Sequence, residues 1–337
     1  MHDFGANPAA MRACLRMNDL GAAAQPFVFV LDYALHEPLV VPLQQVDATQ
    51  LKYSIRGAGN DLQRPPAERV APQILVLSAP TRARYQRAFD TVQQHLRRGN
   101  SYLVNLTLPT RIALSGSLSD LYYHSEAKYR VWLRDRFVAF SPEPFVTIAD
   151  GVIRSCPMKG TRSGEGQRQT DALLADPKEY AEHVTIVDLI RNDIGRVARR
   201  VSVERFRYVE TLRTDRGSLL QMSSEIVGRL APDWPGRIGD ILLAMLPPGS
   251  VTGAPKQMTC RIIAQAERYQ RGFYTGVVGL FDGKRLDSGV LIRFVEQAAE
   301  GYLFKSGGGI TIDSRVDLEY QELLDKIYVP LYRDYSH

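Results

Sequence analysis

Cysteine is scarce in these 337 residues, and Cys14, Cys156 and Cys260 stand far apart. An odd set without paired spacing argues against both a disulfide framework and a zinc site. A reducing, cytoplasmic setting is expected. Long apolar runs are missing too, with none approaching the roughly 18 residues that a membrane span needs. The start Met1-His2-Asp3 lacks the basic-then-apolar pattern of a signal peptide. There is no G-x-G-x-x-G and no Walker sequence, so neither phosphate-binding signature is present. Internal repeats and low-complexity segments are absent. Concentrated charge is also missing: the net charge is +5, and clusters such as Arg196-Val197-Ala198-Arg199-Arg200 are short. Without a nucleic-acid recognition module, nucleic-acid binding is not expected. A mild positive field suits the collection of a small anionic substrate.

What is present is ordinary for a globular protein, 45% hydrophobic and 23% charged. Phe27–Leu31 and Gln73–Leu77 are apolar runs of strand length. Tyr85, Ala88, Phe89, Val92 and Leu96 recur at helical spacing, with Gly99 where the helix stops. A long strand is expected over 101–114 and short strands over 137–140, 145–148 and 152–155, the last two joined by Asp150-Gly151. Asp176, Pro177 and Glu179 give cap, first turn and capping box for a helix to about Ala198. Further strands are expected over 201–212, 218–230, 273–281, 287–296 and 302–306. Helices are expected over 237–246, 255–269 and 316–332. Strands grouped as hairpins, without strict alternation with helices, imply α+β with antiparallel sheets.

Five blocks carry residues capable of chemistry. They are Ser141-Pro142-Glu143-Pro144-Phe145; Pro157-Met158-Lys159-Gly160-Thr161-Arg162; Glu179-Tyr180-Ala181-Glu182-His183 running into Val187–Asp193; Gly249-Ser250-Val251-Thr252-Gly253-Ala254-Pro255-Lys256; and Ser306-Gly307-Gly308-Gly309 running into Glu319-Tyr320-Gln321-Glu322. Taken singly, each has a bland meaning. Glu143 is a solvated turn residue, Lys159 a surface lysine, Glu179 a helix cap, Glu182 and Glu322 exposed helix residues, and the glycine run a turn.

Together, and in this order, the blocks resemble the chorismate-utilising enzymes over roughly residues 75–335. The resemblance implies a four-layer α/β/β/α fold of two packed antiparallel sheets. Residues 1–74 are then a short N-terminal region packed on the core, and 75–335 the chorismate-binding catalytic domain. Its expected cofactor is magnesium, which is held by one or two carboxylates plus substrate oxygens. Glu182 and Glu322 match the metal-ligating positions. Glu179 and Glu319 match positions that reach the metal through water. Each pair is three residues apart on a helix and so shares a face, and two such helices facing each other would make a four-carboxylate site. The second substrate carboxylate falls to Tyr274, Arg293 and the backbone N–H groups of a Gly-rich turn at Gly307 and Gly309. Gly160 and Thr161 match a segment lying along the substrate ring.

Lys159 separates the subfamilies. The resemblance is strongest to aminodeoxychorismate synthase component I, which carries Lys at this position and Glu at the position of Glu143. It implies that Lys159 attacks ring C2 while Glu143 serves as general acid and base at C4. Leu103 stands where isochorismate-forming relatives have a water-activating Lys. Gln221 stands where many relatives have His, and it cannot act as acid or base near neutral pH. Pro248 stands where Gly is usual. The expected reaction joins chorismate and ammonia into 4-amino-4-deoxychorismate for 4-aminobenzoate and folate synthesis. The ammonia comes from solution or from a separate glutamine amidotransferase subunit. Anthranilate synthase component I is the alternative enzyme, disfavoured by Lys159 and Gln221. A catalytically idle partner-binding subunit is the alternative of another class.

The N-terminal region is short for this family, so a complete tryptophan pocket is not expected. Isothermal titration with tryptophan should show no tight binding, and tight binding would contradict this reading.

Overall fold

The computed structural model describes residues 7–61, 71–164, 166–214 and 217–330. The chain opens with helix α1 (Pro8–Ala22) and strands β1 (Phe27–Leu31), β2 (Leu39–Pro42), β3 (Leu51–Ile55) and β4 (Ala58–Gly59). Next come β5 (Ile74–Ser78), α2 (Arg82–Arg97), β6 (Leu103–Leu114), α3 (Leu118–His124), β7 (Tyr129–Leu133), β8 (Phe137–Ser141), β9 (Pro144–Ala149), β10 (Val152–Ser155) and β11 (Met158–Ser163). Helices α4 (Gln167–Ala175) and α5 (Pro177–Gly195) lead into β12 (Arg199–Thr214), β13 (Gly217–Arg229), α6 (Ile238–Met245), β14 (Gly253–Ala254) and α7 (Lys256–Glu267). Strands β15 (Val277–Phe281), β16 (Leu286–Val290), β17 (Phe294–Ala298) and β18 (Gly301–Ile310) precede the last described helix, α8 (Val316–Asp325).

The strands form two sheets. One runs β11-β13-β10-β9-β16-β15-β1-β2 with β12 on β13; the other runs β14-β6-β18-β17-β8-β7-β3-β4 with β5 on β6. Side chains alternate across a strand, and that alternation sets the layers. Along β1, Phe27, Phe29 and Leu31 join a cluster with α1, α5 and α6, while Val28 and Val30 join Tyr53, Val131, Phe137 and Ala139 of the other sheet. Along β8, Phe137 and Ala139 face that shared core, and Val138 and Phe140 face α3. On β6, Val104, Leu106 and Leu108 pack on α2, α7 and α8. The result is helix, sheet, sheet, helix.

The local signals act as their chemistry demands. Thr81 caps α2 by accepting from the Arg84 N–H at 3.2 Å, the five periodic residues of that helix are buried, and Gly99 follows it at φ +72. Asp176 accepts from the Glu179 N–H at 3.2 Å and so opens α5. Asp150 and Gly151 turn between β9 and β10 at φ +52 and +71, where both residues of a tight hairpin turn must go left-handed.

Three expectations change. The single strand expected over 287–296 is two strands in different sheets, because Arg293 adopts φ +52 and ends the extended run. The last helix stops at Asp325 and does not reach 332. The strand expected over 273–281 begins only at Val277, after Thr275 at φ +62. In the N-terminal region, β1 lies between β15 and β2 in one sheet, and β3 pairs with β7 in the other. Hydrogen bonding therefore crosses the 74/75 division in both sheets. Helix α4 and strand β11 were not expected, since neither segment has a clear period in apolar residues.

The inter-sheet core should dominate stability. Phe137 is 1% exposed and stacks on Phe273 and Phe294 at centroid distances of 4.9 and 4.7 Å. Phe137→Ala should cost about 3–5 kcal/mol. Urea unfolding should show this as a lower midpoint at unchanged slope, whereas a midpoint within error of wild type would contradict the packing described.

Candidate active site

One buried guanidinium joins several of the candidate segments. Arg271 and Glu267 are 2% and 1% exposed and pair at 2.6 Å. Arg271 donates from Nε and Nη2 to Glu267, from Nη1 to the Val251 carbonyl (2.8 Å) and the Thr275 hydroxyl (3.2 Å), and from Nη2 to the Asn105 carbonyl (2.7 Å). All five guanidinium N–H groups are thus used. The three segments held are the 249–256 block, strand β6 and the loop that carries Tyr274. Lys305, 2% exposed, holds the same loop from the sheet side through the Arg271 carbonyl at 2.8 Å. Thr275 is fixed at φ +62, an unusual region for a β-branched residue, and its hydroxyl donates to the Tyr274 carbonyl at 2.5 Å.

The glycine run does not form a turn, as the sequence suggested. Gly307 and Gly309 lie inside β18, opposite Thr107 and Asn105 of β6. Asn105 and Thr107 send their N–H groups away from β18, to the Thr252 carbonyl and to Glu267 Oε1, each at 2.8 Å. In an antiparallel ladder the residues opposite must then also turn their N–H groups outward. On that outward side β17 begins only at Phe294, which is opposite Lys305. The N–H groups of Gly307 and Gly309 therefore run past the end of their neighbour and can converge on an anion. A side chain at 307 would not fit, since a Cβ there would stand 2.2 Å from the Leu106 carbonyl oxygen.

Arg293 is the residue immediately before β17. Its guanidinium lies 4.8 Å from the Tyr328 ring centroid and donates to the Tyr328 hydroxyl at 3.2 Å, while its Nε is buried without a hydrogen-bond partner. Tyr274 is 4% exposed and packs on Phe294, with centroids 5.8 Å apart. Burial pushes its phenol pKa up, against the pull of Arg271 and Arg293, so it remains a proton donor at neutral pH. Arg293 and Glu143 both lie within electrostatic reach of that phenol. Tyr274, Arg293 and the end of β18 thus form one cationic, donor-rich corner suited to a carboxylate.

Glu143 borders this corner. Its N–H donates to the Ser141 hydroxyl at 3.1 Å, its carbonyl accepts from the Val290 N–H at 3.0 Å, and its carboxylate accepts from the Ser250 hydroxyl. The half-buried carboxylate is thereby tied to the 249–256 block. Pro248 has a role there as well, since its carbonyl accepts from the Thr252 hydroxyl at 2.8 Å.

Lys159, Gly160 and Thr161 lie on β11, and Thr161 is in register with Gln221 of β13 across a bulge. The side chains of Lys159 and Thr161 lie outside the described residues. Gly160 adopts φ +88, which favours glycine, and a Cβ there would stand 2.8 Å from Glu179 Oε2. Glu179 thus turns its carboxylate to β11, and Glu182 follows half-buried on the same helix. On α8, Glu319 accepts from the Ser314 hydroxyl at 2.7 Å, while Glu322 pairs with Lys326 at 2.5 Å and lies against Gly308.

The four-carboxylate cluster expected from the two helices is not formed. Among the described residues, no three His, Cys, Asp or Glu side chains come together as a group that could hold a metal ion. On α8, the carboxylates of Glu319 and Glu322 are engaged by Ser314 and Lys326. The donor chemistry still fits magnesium, which prefers hard oxygens and commonly takes only one or two carboxylates.

Some residues that matter here were visible only as motif letters. Asp193 and Lys256 form a buried ion pair at 2.7 Å that joins the 187–193 block to the 249–256 block, and Lys256 also donates to the Met245 carbonyl at 2.7 Å. Glu267, Arg271 and Lys305 had no signal beyond being charges beside apolar segments. His183 is fully buried and shares a hydrogen bond of 2.7 Å with the Ser224 hydroxyl. No helix among the described residues is long and apolar enough to cross a membrane.

A family model described as chorismate binding enzyme matches residues 33–332. An uncharacterized PabA-like protein of Pasteurella multocida is 47% identical over 319 residues, covering 93% of this chain and 97% of that protein. Aminodeoxychorismate synthase component 1 of Salmonella typhimurium is 36% identical over 264 residues, covering 73% of this chain and 56% of that enzyme. The crystal structure of anthranilate synthase component I from Streptococcus pneumoniae matches with a TM-score of 0.62 at 28% identity, covering 77% of this chain and 59% of that one. The chain thus spans little more than half the length of these last two proteins. With two packed antiparallel sheets and a donor-rich corner at their junction, it belongs to the chorismate binding enzymes.

Proposed function

We propose that the chain is an aminodeoxychorismate synthase component I, replacing the C4 hydroxyl of chorismate with ammonia to give 4-amino-4-deoxychorismate and water. The observation that carries this reading is Lys159 in the bulge of strand β11, between Met158, which pairs with Ser223, and Thr161, which pairs with Gln221. A lysine there supplies a nucleophile, and Gln221 supplies no acid or base.

In this reading Arg293, the Tyr274 phenol and the Gly307 and Gly309 N–H groups hold one substrate carboxylate. Gly160 and Thr161 lie along the ring. Glu182 and Glu322 would hold magnesium, with Glu179 and Glu319 behind them, and the cation when bound neutralises and orients the ring carboxylate. Neutral Lys159 attacks C2, the two ring double bonds shift, and the C4 hydroxyl leaves as water with a proton from Glu143. Ammonia then adds at C4, the double bonds shift back, Lys159 departs from C2, and Glu143 takes the proton shed by the amine. The same proposal places the ammonia supply in a separate glutamine amidotransferase subunit or in solution. It places the product in 4-aminobenzoate and folate synthesis, in the cytoplasm.

Incubation with chorismate, magnesium and ammonium, followed by mass spectrometry, should yield 4-amino-4-deoxychorismate. Anthranilate with pyruvate as the main product would overturn the reading. Intact-protein mass of the reacting enzyme should show a covalent adduct that Lys159→Ala abolishes.

A further inference from the structure

The side chain of Asn105 has no part in the proposal so far. Its backbone is clamped on both sides: the N–H donates to the Thr252 carbonyl at 2.8 Å and the carbonyl accepts from Arg271 at 2.7 Å. The side-chain amide oxygen is nevertheless buried with no hydrogen-bond partner. Leaving a buried acceptor unmatched is costly, so the position calls for a donor.

Strand alternation says where that donor would stand. Val104 and Leu106 point into the α2–α7–α8 layer, so Asn105 between them points to the opposite face of the sheet. Its register partner is Gly309, whose N–H belongs to the carboxylate corner. Ile310, the partner of Val104, is buried in the outer layer, so position 309 shares the opposite face with Asn105, and as glycine it carries no side chain there.

We infer that the Asn105 amide oxygen is a ligand-binding group that accepts a hydrogen bond from an O–H or N–H donor in the substrate site. This rests on the amination reading above and deepens it. The carboxylates and the ether oxygen of chorismate only accept, so they cannot satisfy Asn105. Two donors remain, the ring hydroxyl at C4 and the incoming ammonia. Both meet the same ring carbon, one leaving it and one arriving. Asn105 thus marks the C4 side of the pocket, with Glu143 as the proton carrier for the same carbon.

The test is Asn105→Leu, similar in size and without the amide, with Asn105→Asp retaining an acceptor. Because removal of an unmatched buried acceptor is neutral or favourable, the urea midpoint of Asn105→Leu should stay level or rise. Binding of the donor should weaken about tenfold, the usual effect of losing one hydrogen bond to a buried group. Calorimetric titration of chorismate with magnesium reads the hydroxyl source. The KM for ammonium at saturating chorismate reads the ammonia source. Weakening in either arm, with Asn105→Asp nearer to wild type in that arm, supports the inference. A lower midpoint with both arms unchanged overturns it and makes Asn105 a structural residue, as does no change at all. Failure of the amination reading would appear separately, as wild-type protein that binds chorismate but forms no aminated product. The titration arm would still decide the role of Asn105 in that case.

Discussion

The site depends on the buried pair of Glu267 and Arg271. A guanidinium taken out of water is stable only when its charge is matched and its donors are filled. Here the carboxylate takes two of the five N–H bonds, and the other three reach Val251, Thr275 and Asn105. Those contacts link three segments far apart in sequence. Breaking such a pair by removing one partner costs about 3–5 kcal/mol, so the arrangement is held as a unit. The Asp193–Lys256 pair repeats the device one step away, tying α5 to the start of α7.

Given that anchor, ladder geometry does the rest. Asn105 and Thr107 spend their N–H groups on the far side of β6, which forces those of Gly307 and Gly309 to the near side. Strand β17 starts too late to take them, because the chain crosses between sheets at Arg293. One irregular residue thus does two things. It ends the strand that would otherwise consume the N–H groups, and its guanidinium packs on Tyr328 within electrostatic reach of the Tyr274 phenol. Tyr274 completes the corner, its phenol kept protonated by burial.

Most of the architecture was legible because apolar period and turn chemistry agree locally. Helix α2, the hairpin at Asp150-Gly151 and the cap at Asp176 follow from residues within one or two turns. The break at Arg293 was not legible, since the apolar run over 287–296 continues across it, and only the sheets on either side reveal two strands. The glycine run misled for a related reason. Three glycines favour a turn in isolation, whereas here they stay extended beside β6. Glu143, Tyr274 and Arg293 were found through family resemblance and do share one neighbourhood. The carboxylates expected to hold a metal were named the same way, and among the described residues no three His, Cys, Asp or Glu side chains group together. Glu267, Arg271 and Asn105 escaped notice because burial and partners, not residue type, give them their roles.

The central claim is that a chorismate carboxylate sits on the end of β18 beside Arg293. Amide hydrogen exchange resolved to single residues, with and without chorismate and magnesium, tests it most directly. The Gly307 and Gly309 amides, open to the site in the free chain, should exchange markedly more slowly in the complex. Unchanged exchange at both glycines, with protection confined to other parts of the molecule, would contradict the account.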